Sequence, residues 1–407
     1  MADAIVADLR ARLPQLVGQT LEGGLTVTLA DDFTYADPID GSQAKGQGLR
    51  VVMGDDARIV LRKSGTGTDG ATLRLYLEHW RQDELNLDPA TALAPLAALA
   101  DTLTGWIVWH NPERKDLDSE VRAQVDMRFV GLSEGVTGYT LGGDEDAPWV
   151  VLIHGYSVPS PQWAATAEAL QAAGYRTLYY DLYGRGWSDR PAGAYDLARY
   201  ERQLTELLAV LGAPEQVRLV GLSMGGLIAA HYTVAHPDKV AALALIAPFN
   251  AVPEVPDVLR WPVIGNVVAH ALYFPRQADM QKNTFADPAL AAQYLPLFTE
   301  QLPYRGFRRA ILSTLRTVIL KDPLPTYLAL GTQGRDIPLI WGSEDQVVPY
   351  AQASRLLQAL RPGARLVTID GAAHAPHLEA PQATQAALID ALQAVESAPE
   401  VPENPPS

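Results

Sequence analysis

The sequence predicts an α/β protein with two domains. A small α+β domain comes first. A larger domain follows, with a mostly parallel sheet, helices on both faces of the sheet and a helical cap. From residue 149 onward, β-rich runs alternate with stretches rich in alanine and leucine, which is typical of a parallel sheet between helical layers. Before residue 105, short runs of alternating apolar residues precede one helical stretch, which indicates the smaller domain. The chain has 407 residues, of which 48% are hydrophobic, so it is long enough to bury the cores of two domains.

The expected domain boundaries follow from the same patterns. A charged stretch that opens with Asn-Pro, NPERKDLDSEVRAQ, is typical of a linker, so we expect one domain over residues 1–114 and a second over residues 115–397. Two runs after it, QVDMRFV and GVTGYTL, are expected to form an antiparallel hairpin that leads into the sheet. Helical and proline-interrupted segments over residues 249–335 indicate the inserted cap. Residues 398–407, rich in proline and glutamate, are expected to be disordered.

Composition excludes several classes of function. Acidic residues outnumber basic residues by 47 to 32, and the net charge of -15 repels nucleic acid and anionic lipid. The absence of cysteine excludes disulfides, thiolate metal sites and cysteine nucleophiles. The first residues do not form a secretory signal and no apolar run is long enough to cross a bilayer, so we expect a cytoplasmic location. We expect no metal, no cofactor, no nucleic-acid partner and no membrane span.

A candidate nucleophile stands between a β-rich run and an alanine-rich run. VRLVGLSMGGLIAAHY places Ser223 in a Gly-x-Ser-x-Gly frame. Small neighbours are needed there, because the serine lies on a strained turn where the backbone folds back tightly. The alternative interpretation is a glycine-rich turn without chemistry, and the strand before it and helix after it favour the nucleophile.

A serine hydroxyl is a weak nucleophile and requires a base and an orienting acid, which we expect at the ends of later strands. Asp345 follows the run IPLIWG and is the candidate acid, with Glu344 as its nearest rival. His374 follows the run ARLVTID in a loop of small residues and is the candidate base. His377, three residues later, is interpreted as a structural histidine.

The oxyanion of a tetrahedral intermediate requires two preorganised N–H donors. The first should be the backbone N–H of Met224, directly after the nucleophile. The second should come from the loop HGYSVP, where we favour the backbone N–H of Tyr156. His154 and Gly155 are expected to shape this loop rather than to take part in acid–base chemistry.

Residues from about 125 to 395 resemble the α/β-hydrolase fold family through HGYS, DLYGRGWSDRP, GLSMGG, WGSEDQVVP and GAAHAPH, which occur in that family's order. The chain is most similar to the carboxylesterase and monoacylglycerol-lipase branches. The resemblance implies that Asp181, Gly184 and Ser188 hold the architecture near the active site. A serine nucleophile argues against the branches that hydrolyse epoxides or haloalkanes, which use aspartate.

The function expected from this resemblance is hydrolysis of small carboxylic esters through an acyl-enzyme, with Ser223, Asp345 and His374 as the catalytic triad. Aromatic and aliphatic residues in the cap favour short to medium acyl chains. Two alternatives use the same triad: hydrolysis of a carbon–carbon bond in a diketone-like substrate, and cofactor-free perhydrolysis. A third is a sugar-phosphate-binding protein with a vestigial hydrolase.

The smaller domain carries a loop suited to an anion. In LRKSGTGTDGATLRLY, small residues expose backbone N–H groups beside several polar side chains: Arg62, Ser64, Thr66, Thr68 and Arg74. Residues from about 4 to 114 resemble the C-terminal domain of phosphoglucomutase, and the resemblance implies that these five residues hold the phosphate of a sugar phosphate.

Mutase activity is not expected from this resemblance, because the family's phosphoserine and metal-binding aspartates belong to earlier domains. Three interpretations of the smaller domain stay open: a structural appendage, an anion-binding module and a docking domain.

Overall fold

The structure is a computed structural model, and it describes residues 9–11, 13–20, 25–36, 43–54, 57–64, 72–80, 96, 113–260, 266, 269 and 273–393. The chain divides into two compact units. Unit 1 contains Met1–Asn111 together with Val255–Tyr273, and unit 2 contains Pro112–Glu254 together with Phe274–Ser407.

Unit 1 contains a four-stranded antiparallel sheet in which the strands follow chain order: β1 (Val27–Ala36), β2 (Gln43–Met53), β3 (Ala57–Ser64) and β4 (Thr72–His79). Apolar side chains on one face of the sheet are buried against helical residues 9–11 and 13–16. The opposite face carries ion pairs, such as Arg50 with Asp31 and Arg58 with Glu78. This division of one face from the other confirms the small α+β domain, because alternation with period two directs successive side chains to opposite faces.

Unit 2 contains an eight-stranded sheet in the order β12-β11-β10-β9-β7-β8-β6-β5. Its strands are β5 (Arg128–Leu132), β6 (Gly135–Gly142), β7 (Trp149–Ile153), β8 (Arg176–Tyr180), β9 (Val217–Leu222), β10 (Val240–Ile246), β11 (Ile337–Gly342) and β12 (Ala364–Ile369). The hairpin of β5 and β6 joins the sheet through antiparallel pairing of β6 with β8, and the other neighbours are parallel. The predicted leading hairpin and parallel sheet are therefore confirmed.

Every residue of β7, β9 and β11 is buried, as expected for central strands covered on both faces. The α-helices of unit 2 are α1 (Ser119–Arg122), α2 (Ala164–Ala172), α3 (Leu197–Val210), α4 (Met224–Ala235), α5 (Gln277–Lys282), α6 (Pro288–Thr299), α7 (Phe307–Thr314), α8 (Leu324–Gly331), α9 (Ala353–Ala359), α10 (Pro376–Glu379) and α11 (Pro381–Gln393). Helix α2 packs against α11, whereas α4 packs against α3 and α8. The described helices are too short or too polar to cross a lipid bilayer.

The segment that we expect to form the cap, residues 249–335, lies between β10 and β11, and its part in unit 2 contains α5, α6, α7 and α8. Helix α6 begins after Asp287, whose carboxylate accepts a hydrogen bond from the Ala289 N–H, and Pro288 occupies its first turn. A carboxylate and a proline at these positions favour helix initiation, because the first N–H groups of a helix have no partner within the helix.

The charged stretch that we interpreted as a linker is described from residue 113 onward. Lys115 forms a parallel bridge with Tyr304, and the Glu113 carboxylate accepts hydrogen bonds from the N–H groups of Gly306 and Arg308 at the start of α7. The Asp118 carboxylate caps α1. Several charged residues of this stretch thus form contacts within unit 2.

Candidate active site

Three candidate catalytic residues follow parallel strands of the same sheet. Ser223 comes directly after β9, Asp345 lies three residues after β11, and His374 lies five residues after β12. Parallel strands end at one edge of the sheet, and ligands bind at this edge in open α/β sheets. Ser223 is 9% exposed, Asp345 2% and His374 6%, so all three side chains lie within the protein.

Ser223 has the strained backbone that the glycine pattern predicted. Its φ of 54° and ψ of -120° are unusual for a residue with a side chain, and α4 begins at the next residue. A Cβ atom on Gly225 would lie 2.2 Å from the Ile153 carbonyl oxygen, and one on Gly221 would lie 2.4 Å from the Gly225 carbonyl oxygen. Only glycine fits at these two positions, so the pattern follows from the close approach of β7, β9 and α4.

The structure brings Asp345 and His374 together. Asp345 Oδ2 lies 2.8 Å from His374 Nδ1, and Asp345 Oδ1 accepts hydrogen bonds from the N–H groups of Val347 at 2.8 Å and Val348 at 2.9 Å. Because an ionised carboxylate only accepts, Nδ1 carries the proton and Nε2 is left as the basic nitrogen. The rival Glu344 is exposed, and its carboxylate accepts a hydrogen bond from Ser343.

The loop after β7 passes close to the candidate nucleophile. A Cβ atom on Gly155 would lie 3.4 Å from Ser223 Cβ and 4.0 Å from Ser223 Oγ. Tyr156, the next residue, is held by its hydroxyl group, which donates to the Ile311 carbonyl oxygen in α7. The predicted oxyanion donor Tyr156 thus belongs to the loop that passes close to Ser223. The other predicted donor, Met224, directly follows Ser223 at the start of α4.

His154 fixes this loop. Its Nδ1 lies 2.8 Å from the Gly155 carbonyl oxygen and its Nε2 accepts a hydrogen bond from the Leu182 N–H, so the ring is neutral with the proton on Nδ1. Burial lowers the pKa of His154 to about 3. These contacts agree with a loop-shaping role for His154.

Arg185 is a buried cation that the sequence patterns did not single out. Its Nε donates to the Tyr156 carbonyl oxygen at 2.9 Å, its Nη1 donates to the Tyr200 hydroxyl at 2.7 Å, and its guanidinium lies 5.4 Å from the centre of the Tyr156 ring. Its Nη2 has no hydrogen-bond partner among the described residues. The arginine thus fixes the peptide group that follows Tyr156 and adds a positive charge near it.

Asp181 organises the loop that carries Arg185. The buried carboxylate accepts hydrogen bonds from the Ser160 N–H and hydroxyl and from the Trp187 N–H. Burial raises the pKa of Asp181, and these hydrogen bonds oppose the rise. The Ser188 hydroxyl donates to the Asp181 carbonyl oxygen. Gly184 has a φ of +84°, and a Cβ atom there would lie 2.4 Å from Ala310 Cβ, so only glycine fits the turn.

His377 is fully buried against Trp163, with the two ring centres 4.4 Å apart. Neither ring nitrogen has a hydrogen-bond partner among the described residues, and burial lowers the pKa of His377 to about 3. A neutral ring without polar contacts agrees with a structural histidine.

The candidate phosphate loop is described only in part. Arg62 in β3 pairs with Arg74 in β4, and Ser64 pairs with Thr72, so the two strands bring these residues together at the backbone level. The side chains of Ser64 and Arg74, and Thr66 and Thr68 altogether, lie outside the described residues. Within the described ranges, no group of three or more histidine, aspartate or glutamate side chains is arranged to hold a metal ion.

Comparison with known proteins gives separate matches for the two parts of the chain. A family model described as alpha/beta hydrolase fold matches residues 148–381, and one described as phosphoglucomutase-1, C-terminal domain matches residues 1–107. A phosphoglucomutase from Rhizobium radiobacter is 49% identical over 106 residues, which cover 26% of this chain and 19% of that protein. The chain spans less than a fifth of the length of the curated phosphoglucomutases that it matches.

Solved structures resemble the larger part. The enol-lactonase from Burkholderia xenovorans LB400 has a TM-score of 0.55 and 23% identity, and the match covers 65% of this chain and 100% of that chain. A thermophilic esterase from Thermogutta terrifontis has a TM-score of 0.57 and 21% identity, with 67% and 100% covered. At this level of identity the likeness establishes the fold.

Proposed function

Because the chain belongs to the α/β-hydrolase fold family, we propose that unit 2 is a serine hydrolase that cleaves carboxylic esters through an acyl-enzyme. The observation that supports this most directly is the 2.8 Å contact between His374 Nδ1 and Asp345 Oδ2 at the sheet edge where Ser223 follows β9. The pair leaves His374 Nε2 able to accept a proton, which the serine hydroxyl requires of its base.

In the proposed reaction, Ser223 Oγ attacks the acyl carbon while His374 Nε2 accepts the hydroxyl proton. Asp345 holds the ring and stabilises the imidazolium. The backbone N–H groups of Met224 and Tyr156 donate to the oxyanion of the tetrahedral intermediate. His374 then returns the proton to the leaving alcohol. In the second half, His374 activates water, which attacks the acyl-enzyme and releases the acid.

We propose short to medium acyl chains as substrates, on the basis of the apolar residues in the cap. Some of these residues pack the cap itself: Phe298 and Phe307 are fully buried, and their ring centres lie 6.0 Å apart. Such residues stabilise the cap, and we propose that other apolar cap residues contact the acyl chain.

Hydrolysis of p-nitrophenyl esters from acetate to dodecanoate tests the proposal with wild type, Ser223→Ala and a matched control, Ser354→Ala. Ser354 is exposed in α9 and donates to the Ala351 carbonyl oxygen. We expect turnover to disappear only in Ser223→Ala, with circular dichroism unchanged in both variants. Equal turnover by Ser223→Ala and wild type would disprove the assignment of the nucleophile.

The same protein should be offered a diketone-like substrate, and hydrogen peroxide with a halide. Carbon–carbon bond hydrolysis without matching ester turnover, or halogenation that requires peroxide, would replace the esterase proposal by the corresponding alternative.

For unit 1 we propose binding of the phosphate group of a sugar phosphate through Arg62, Ser64, Thr66, Thr68 and Arg74. The match of residues 1–107 to the phosphoglucomutase C-terminal domain supports this second candidate function. Calorimetry with glucose 1-phosphate and glucose 6-phosphate should give heat with wild type and none with Arg74→Ala. Arg58→Ala is the control, because Arg58 pairs with Glu78 on the strand surface. Absence of heat with wild type would leave unit 1 as a structural or docking domain.

A further inference from the structure

A single carboxylate is bonded to the loop that carries His374. Glu379, the last residue of α10, lies five residues after His374. Its Oε2 accepts a hydrogen bond from the Ala373 N–H at 2.7 Å, and the nearby Ala375 N–H lowers the pKa of the carboxylate. The main chain is therefore held immediately before the candidate base.

The same carboxylate is bonded to the cap segment that precedes α6. Glu379 Oε1 accepts a hydrogen bond from the Ala286 N–H at 2.5 Å, and the nearby Asp287 N–H lowers the pKa of the carboxylate. A further bond joins the two segments directly, from the His374 N–H to the Thr284 carbonyl oxygen at 3.1 Å. Glu379 thus connects Ala286 in the cap segment to Ala373 in the base loop, and the Thr284 bond joins the same two segments.

The chemistry of this contact depends on a carboxylate. One carboxylate oxygen accepts an N–H group from the cap segment and the other accepts one from the base loop. A glutamine amide has one accepting oxygen and one donating nitrogen, so it can accept from only one of the two segments. Charge-assisted hydrogen bonds of this kind are shorter and stronger than neutral ones. Partial burial raises the pKa of Glu379, while the four backbone donors act in the opposite direction. A carboxylate at this position can accept from both segments, whereas a neutral amide cannot.

We propose that Glu379 is a positioning residue that holds His374 in register with Asp345 and the nucleophile, and that the cap segment 284–287 is part of this support. The inference rests on the proposed function, since it assigns a purpose to the placement of the base. The rival interpretation is that Glu379 only stabilises the fold.

The experiment compares wild type, Glu379→Gln and the matched control Glu168→Gln. The control removes a carboxylate from an exposed side chain in α2, away from the candidate site. The readouts are kcat and KM on the best p-nitrophenyl ester, and the downfield proton resonance of His374 Nδ1, assigned by its loss in Asp345→Asn. If Glu379→Gln does not fold, the same readouts are taken on Glu379→Asp.

We expect Glu379→Gln to lower kcat about 100-fold with KM within about threefold of wild type, because a displacement of about 1 Å in a catalytic group has an effect of that order. The His374 resonance should shift or broaden, and Glu168→Gln should match wild type. A kcat within twofold of wild type with an unchanged resonance would overturn the inference, even if the melting temperature falls. If wild type shows no turnover that depends on Ser223, the proposed function fails, and the resonance alone then decides whether Glu379 positions His374.

Discussion

Replacing Asp345 by asparagine tests the orientation of the base, because it changes one hydrogen bond and preserves the others. Asp345 Oδ1 accepts the Val347 and Val348 N–H groups, and Oδ2 contacts His374 Nδ1. The asparagine carbonyl oxygen can keep both backbone donors. Its amide nitrogen then faces Nδ1, which must become an acceptor, so the proton moves to Nε2 and the ring no longer serves as the base.

The size of the effect follows from these contacts. A wrong tautomer with intact geometry lowers kcat by about 10⁴ in a serine hydrolase triad, which corresponds to about 5 kcal/mol of activation free energy. Stability should change little in Asp345→Asn, because both backbone donors keep a partner. Asp345→Ala removes that partner and should lower the free energy of unfolding by about 1–3 kcal/mol for each donor left unpaired.

The assay is kcat on a p-nitrophenyl ester with urea unfolding of the same samples, and Glu344→Gln serves as the control. We expect a collapse of kcat in Asp345→Asn at near-native stability, and wild-type behaviour in the control. The reasoning is refuted if Asp345→Asn retains more than a tenth of the wild-type kcat, or if Glu344→Gln shows the larger loss.

Two further predictions concern stability. Burial lowers the pKa of His377 to about 3, well below its ordinary value of about 6.5, so the unfolded chain binds more protons between these pH values. The free energy of unfolding should therefore fall by up to about 1.4 kcal/mol per pH unit as the pH drops through this range. His377→Phe should make this pH dependence less steep in urea unfolding experiments from pH 7 to 4. The same pH dependence in wild type and His377→Phe would contradict the prediction. Gly186→Ala should lower the free energy of unfolding by about 2–4 kcal/mol, because a Cβ atom would lie 2.0 Å from Asp181 Oδ2 at a φ of +48°. Equal denaturation midpoints would show that the loop adapts.

The sequence predicts the fold of unit 2 well because its central strands are buried on both faces and appear as continuous apolar runs. The turn at Ser223 is equally visible in the sequence, since close approach of three elements leaves no room for side chains at Gly221 and Gly225. Asp345 and His374 are predicted from their positions after strands, and the structure brings these two together. Their catalytic roles stay predictions until the variants are measured.

The supporting residues are harder to predict because their partners are distant in sequence. Arg185 contacts Tyr156 across 29 positions, and Glu379 contacts Ala286 across 93. Gln301 in the cap accepts from the Gly186 N–H across 115 positions and donates to the Ser157 carbonyl oxygen. Such side chains are ordinarily exposed, so composition and periodicity indicate a surface position. The one local signal is that Arg185 stands between two glycines with positive φ, Gly184 and Gly186.

The position of the cap in the chain also affects the order in which the site can form. Strands β10 and β11 are neighbours, with Leu245 beside Leu339, although residues 247–336 separate them. Parallel pairing across a loop of this length loses closure entropy before its contacts form, and it is therefore slow. In the sequence, Ser223 lies before the segment that separates the two strands, whereas Asp345 and His374 lie after it. If Ser223, Asp345 and His374 form the proposed triad, the site is complete only after residues 337–369 have joined the sheet.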